Sequence, residues 1–197
     1  WRGRLFAVGL LIGLQGAVGW WMVYSGLQGS RVDVASYRLA THLGLAFGIL
    51  GYLAWLTFRL GRREADLLQA RRLGDGALAR AGSWLVGLAF VQVLLGALVA
   101  GIDAGRAFPT WPKMGDGWLP PDPFSLSPVW RNFFEDAGLV QFIHRMTAYA
   151  IFAFGIWIWL RARKSAQGSI RFAYNAVMAM LLLQVMLGIF TALYSAP

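Results

Sequence analysis

Residues 83–102 read Ser83-Trp-Leu-Val-Gly-Leu-Ala-Phe-Val-Gln-Val-Leu-Leu-Gly-Ala-Leu-Val-Ala-Gly-Ile102, with no charged side chain among them. A helix of about 20 apolar residues is long enough to cross the hydrocarbon core of a bilayer. In lipid the backbone finds no water, so only helices and closed barrels can span. This run lacks the period-two alternation of a barrel strand. Four similar runs flank it. Leu5 to Ser30 and Phe172 to Pro197 carry no charge. Leu39 to Thr57 holds only His42, and Leu139 to Leu160 holds only His144 and Arg145. Together they predict an all-α polytopic membrane protein with transmembrane helices at 5–27, 39–60, 82–104, 137–160 and 172–194.

Composition agrees. Hydrophobic residues make up 58% of the 197 and charged residues 14%, against roughly 25% charged in soluble domains. The net charge of +9 would suit nucleic acid, but its placement argues for membrane topology. Twelve basic residues fall at the N-terminus and in two alternate loops: Arg2, Arg4, Arg59, Arg62, Arg63, Arg71, Arg72, Arg80, Arg161, Arg163, Lys164 and Arg171. Five fall on the other side: Arg31, Arg38, Arg106, Lys113 and Arg131. Cytoplasmic loops carry the excess of Lys and Arg, which places the N-terminus in the cytoplasm, Pro197 on the far side, and the bilayer, not nucleic acid, as the partner. The absence of cysteine excludes disulfides, iron–sulfur clusters and thiolate ligands within the chain. The first helix is too long for a signal peptide and has no cleavage site. The chain opens on Trp1 and stops at the end of a helix, the expectation for a piece of a longer protein.

The connections differ in character. A short outer loop, 28–38, follows the first helix. The cytoplasmic loop 61–81 is Arg-rich, and its stretch Glu64 to Leu73 suits a short surface helix. The longest loop, 105–136, holds six of the seven prolines with Trp111, Trp118 and Trp130, a composition suited to an ordered loop at the outer interface. An internal repeat runs through the odd-numbered spans: Gln15 with Gly19, Gln92 with Gly96, and Gln184 with Gly188 all read Gln-x-x-x-Gly. Small residues at this spacing serve helix packing, but a polar amide in lipid needs a partner. The intervening spans each carry one histidine near the outer end, which suggests a duplicated helical unit.

His42 and His144 begin the two returning spans at similar depth. Ionisable groups inside a membrane are expensive and usually functional, and neutral imidazole is a common axial ligand of haem iron. With no cysteine, and no Asp or Glu inside any span, a zinc or di-iron site is poorly supplied. A flat apolar macrocycle suits the Phe, Trp and Gly content, with Gly44 and Gly48 leaving room below His42. The other reading is a pair of hydrogen-bonded interfacial histidines. Arg145 and Arg38 lie beside the two histidines, where a guanidinium could meet an anionic propionate bidentately. Ordinary snorkelling is the alternative for both, and the stronger one for Arg38.

Four stretches carry a resemblance to a known family. They are Leu14-Gln-Gly-Ala-Val-Gly-Trp-Trp-Met-Val-Tyr-Ser-Gly-Leu27, Tyr37-Arg-Leu-Ala-Thr-His-Leu-Gly-Leu45, Gly96-Ala-Leu-Val-Ala-Gly-Ile-Asp-Ala-Gly-Arg106, and Phe134 to Arg145 with Gln141-Phe-Ile-His-Arg145. The chain resembles the haem A synthases of bacteria and mitochondria over essentially its whole length. The resemblance implies a duplicated architecture of two four-helix bundles (4+4), of which this chain looks like helices three to seven. Residues 1–81 would then complete the N-terminal unit and 82–197 open the C-terminal one. His42 matches the second haem ligand of the N-terminal, catalytic pair, and His144 the first of the C-terminal pair. Their partner ligands would lie outside this chain, as would the family's Glu three residues before its first histidine. Gln141 stands at the corresponding place before His144, and a neutral amide there suggests a prosthetic haem, not chemistry. The resemblance further implies oxidation of a methyl group of haem O to the formyl group of haem A, with water as oxygen source and haem B as prosthetic group. The product would serve haem-copper cytochrome oxidases, with haem O synthase and oxidase assembly factors as partners, in the bacterial inner membrane. The alternative is a two-haem electron-transfer membrane protein without methyl oxidation. A transporter is poorly supported, because no span carries a carboxylate for ion coupling.

Overall fold

The computed structural model describes residues 1–26 and 34–194. The predicted end of the first span at Leu27, residues 28–33 of the first outer loop with Arg31, and Pro197 lie outside the described residues. The elements are helices: α1 (Arg2–Tyr24), α2 (Ser36–Leu60), α3 (Glu64–Leu73), α4 (Gly76–Gly101), α5 (Asn132–Glu135), α6 (Ala137–Ala162) and α7 (Gly168–Leu193), with 3₁₀ turns at Ala104–Arg106 and Val129–Arg131 and turns and extended backbone over 107–128. Among the described residues five helices, α1, α2, α4, α6 and α7, are long and apolar enough to cross a membrane. The protein is thus an all-helical polytopic membrane protein, as its charge-free runs predict.

Helix boundaries depart from the hydropathy reading where local chemistry extends the helix. Helix α4 starts at Gly76 instead of Gly82, because Oδ1 of Asp75 accepts from the N–H groups of Ala77 at 2.9 Å and Leu78 at 3.0 Å. Such an N-cap satisfies donors that would otherwise be orphaned. Asp136 does the same for α6, accepting from Leu139 N–H at 2.7 Å. The short surface helix predicted at Glu64–Leu73 is present as α3. The segment 105–136 is less irregular than predicted, since it contains most of one 3₁₀ turn, all of another, and α5.

The spans pack in sequence order, each chiefly against the one before and the one after: α1 on α2, α2 on α4, α4 on α6, and α6 on α7. Span α6 is the most enclosed and α1 the least. Water does not drive these contacts in a bilayer, so close approach through small residues must. One buried cluster joins Leu78, Ala81 and Leu85 of α4 to Ile151, Ile158 and Ala162 of α6. A second, towards the histidines, joins Ala40 of α2, Ala97 and Leu98 of α4, Ala104, and Val140 of α6. The room expected at Gly44 is taken: a Cβ there would lie 2.6 Å from Leu94 Cδ2. Gly44 therefore seats α4, and only Gly48, with nothing within 4 Å, keeps open space.

Candidate functional site

His42 is in the second turn of α2 and His144 in the second turn of α6. Both are partly buried. Residues four apart on a helix share a face, so Gln15 and Gly19 of α1 present one polar and one small position together, and they meet His42. The Gln15 amide nitrogen donates to the His42 backbone carbonyl at 3.0 Å and lies 3.2 Å from Nδ1 and 3.3 Å from Nε2 of its ring. A Cβ on Gly19 would lie 2.8 Å from His42 Cε1. The ring thus occupies the notch that the glycine leaves.

The second histidine repeats the arrangement. The Gln92 amide nitrogen donates to the His144 carbonyl at 3.0 Å and lies 3.1 Å from Nδ1 and 3.2 Å from Nε2. A Cβ on Gly96 would lie 3.3 Å from His144 Cε1. In both pairs the Gln Oε1 is buried without a hydrogen-bond partner. The third copy behaves differently: Gln184 is exposed and Gly188 has nothing within 4 Å.

The other sequence-predicted residues do not gather at the imidazoles. Gln141 is buried at 3% exposure and donates to the carbonyls of Gly105 at 3.2 Å and Phe108 at 3.3 Å. Arg145 donates to the same Phe108 carbonyl at 2.8 Å and to that of Lys113 at 3.2 Å. Tyr149, which the sequence reading did not single out, accepts from Trp111 Nε1 at 2.8 Å. Gln141, Arg145 and Tyr149 are four apart in turn, so one stripe of α6 fastens loop 105–113 beside His144. Arg38 donates to the Trp21 carbonyl at 2.9 Å and stacks over its ring, the guanidinium carbon 4.5 Å from the centroid.

The remainder of the outer loop is ordered by Asn132, which is fully buried. Its amide nitrogen donates to the carbonyls of Leu126 and Val129, each at 2.9 Å, and its oxygen accepts from Leu126 N–H at 2.9 Å. Nearby, Arg131 hydrogen-bonds Glu135, which holds that carboxyl below its ordinary range and the guanidinium above its own. Trp118 and Trp130 remain 67% and 60% exposed, the placement of aromatic side chains at a membrane interface. Two concavities, of about 450 and 260 Å³, lie at the opposite ends of the spans, beside Arg71, Asp75, Arg161 and Gln167, and belong to neither histidine.

Among the described residues no three His, Cys, Asp or Glu side chains come together. Each imidazole is therefore a single nitrogen donor, a donor set that suits the axial position of a macrocycle-bound iron. A polytopic helical membrane protein with two equivalent, amide-held imidazoles is the class that these elements define.

The chain belongs to the COX15-CtaA family of cytochrome oxidase assembly proteins, whose model matches residues 1–197. It is 58% identical over 197 residues to the heme A synthase of Dinoroseobacter shibae, 58% over 199 residues to that of Ruegeria pomeroyi, and 55% over 197 residues to that of Paracoccus denitrificans. Each comparison covers all of this chain and 51 or 52% of the relative, so the chain spans about half the length of the curated relatives it matches. No solved structure gives a significant match.

Proposed function

We propose that this chain is the central part of a haem A synthase, which oxidises the methyl group of haem O to the formyl group of haem A. The observation that carries the reading is the pair of equivalent imidazoles, His42 and His144, held by matching amides in a chain more than half identical to heme A synthases. His42 would hold the substrate haem and His144 a prosthetic haem B, each through a ring nitrogen. The bound haems would supply the redox chemistry, with water as the source of oxygen. What this chain's own residues supply is a pair of imidazoles held by matching amides, an apolar surround, and a fastened outer loop.

Two Gln–His–Gly arrangements on successive helix pairs support a duplicated 4+4 architecture. In it residues 1–81 belong to an N-terminal unit and 82–197 to a C-terminal one, and the partner ligands lie in further helices. Gln141 spends its amide on loop carbonyls, which fits a holding role in the half that keeps the prosthetic haem. Arg145 would act chiefly through the loop it fastens, with a propionate as a further acceptor for its remaining donors, and Arg38 through Trp21. The basic asymmetry supports a cytoplasmic N-terminus in the bacterial inner membrane. Haem O synthase and oxidase assembly factors are the natural partners for a substrate and product this apolar.

The test is pigment identification in the full-length protein and two variants. The wild type should convert haem O to haem A. His42→Ala should abolish haem A while a low-spin haem B signal persists, and His144→Ala should weaken or abolish that signal. Haem B alone, with no haem A under any condition, would favour the two-haem electron carrier. Unaltered spectra and normal conversion in both variants would reduce the histidines to interfacial hydrogen-bonding groups.

A further inference from the structure

Beyond the ligands themselves, we infer that Gln15 and Gln92 are positioning residues that set the ring orientation and tautomer of His42 and His144. The inference rests on the proposed ligation of haem iron by the two histidines.

The amide orientation is fixed by chemistry. A backbone carbonyl can only accept, so the atom 3.0 Å from each histidine carbonyl is the amide nitrogen. The amide oxygen then lies on the other branch, buried and unpartnered in both copies. Native structures rarely leave a buried acceptor unpaired, and each such atom calls for an explanation. A neutral imidazole has one nitrogen lone pair and one N–H. The Gln nitrogen lies 3.1–3.3 Å from both ring nitrogens, so it rests over the ring, out of line with the in-plane lone pair, and holds the ring plane by contact while its N–H bonds the carbonyl. Once iron takes the lone pair, the ring N–H remains and needs an acceptor. Iron-ligating histidines almost always donate that second N–H, and the partner fixes the tautomer and the basicity of the ligand. The Oε1 of the same Gln makes no bond to the ring as it stands, and a turn of the ring towards it supplies that acceptor. The amide thus holds the histidine by its carbonyl and carries an unpartnered acceptor on its other branch.

The geometry is not a by-product of the connections. Gln15 and His42 are 27 residues apart and Gln92 and His144 are 52 apart, yet the three nitrogen–histidine distances agree within 0.1 Å. On α7, where Gly188 has no neighbour, the third Gln is exposed. Of the three motif glutamines, the two that are partly buried are the two packed against an imidazole.

The experiment uses the full-length protein in membranes and reads haem retention, the low-spin electron paramagnetic resonance signal and the midpoint potential. Gln92→Leu should weaken haem retention about 10–100-fold, the cost usual for losing a second-shell partner, and shift the resonance. Gln92→Glu keeps an acceptor for the ring N–H but loses the donor to the His144 carbonyl, so the haem it retains should show a lower potential, because a carboxylate accepts the ring N–H more strongly and enriches the ligand. A purely structural role would not give the potential shift. His144→Ala runs in parallel: an unchanged signal there overturns the ligation reading itself. If His144→Ala loses the signal while Gln92→Leu keeps wild-type retention, resonance and potential, ligation stands and the positioning role is overturned. A wild-type potential in the Glu variant overturns it as well. Should Gln92→Leu fail to accumulate, Gln15→Leu decides. It should weaken haem O binding while the His144 half, still carrying its signal, certifies the fold. Unchanged haem O binding would refute the role.

Discussion

At the level of single residues, the two glycines that seat the imidazoles are not equally tight. A methyl group at Gly19 would meet His42 Cε1 at 2.8 Å, and one at Gly96 would meet His144 Cε1 at 3.3 Å. The first must push the ring or separate α1 from α2, whereas the second needs a shift of a few tenths of an ångström. Overpacking of this kind costs about 1–3 kcal/mol. Gly19→Ala should therefore lower the thermal midpoint of the full-length protein and perturb the His42 half, with Gly96→Ala markedly milder. Equal effects in a thermal-shift assay would count against the notch geometry. The sequence displays every Gln-x-x-x-Gly, and an amide in lipid signals a missing partner. It does not say which partner, because periodicity reports the face a residue occupies and not the helix that face meets. The space read at Gly44 fails for the same reason: the filling atom belongs to Leu94, fifty residues away in the chain.

At the level of elements, hydropathy measures bilayer thickness and not helix length. The apolar run locates α4 well but misses its first turns, which Asp75 caps outside the apolar stretch. Helix α6 shows what a single span can do on two faces. His144 faces Gln92 and Gly96 of α4, while Gln141, Arg145 and Tyr149 fasten loop 105–113. Arg145→Ala removes two charge-assisted hydrogen bonds, each worth about 1.5–3 kcal/mol. Amide exchange in residues 105–117 should accelerate, and proteolysis of the loop should become easier, with the haem of the full-length protein retained at first. Gln141→Glu should likewise keep the haem, since Gln141 contacts loop carbonyls and not the imidazole. Complete loss of the prosthetic haem spectrum in that variant would show that Gln141 does more than hold the loop. Loop 105–136 was recognisable as ordered from its prolines and tryptophans. Its anchors were not, because Arg145 reads equally well as a propionate partner or a snorkelled cation, and only packing chooses a third use.

At the level of the whole molecule, the five spans form a succession in which the first two outgoing helices, α1 and α4, each present Gln and Gly to the histidine of the next span. The basic asymmetry predicts that reporter fusions will place loops 61–81 and 161–171 in the cytoplasm and 105–136 outside, and a cytoplasmic signal from the latter would reverse the topology. The same succession makes a demand on α7. Its Gln184 and Gly188 are the third copy of the motif and stand open, and the relatives are about twice as long as this chain. If the duplication holds, a further span of the parent protein packs on α7 with a histidine against Gln184 and Gly188, as α2 packs on α1. The chain has no cysteine, so engineered pairs can be read cleanly. Cysteine at position 188 of the full-length protein, paired with single cysteines scanned along the following span, should crosslink most efficiently within one turn of a histidine in that span. Crosslinks between two polypeptides would assign the open face to a second copy. A maximum remote from any histidine would break the equivalence of the three Gln–Gly helices on which the duplicated architecture depends.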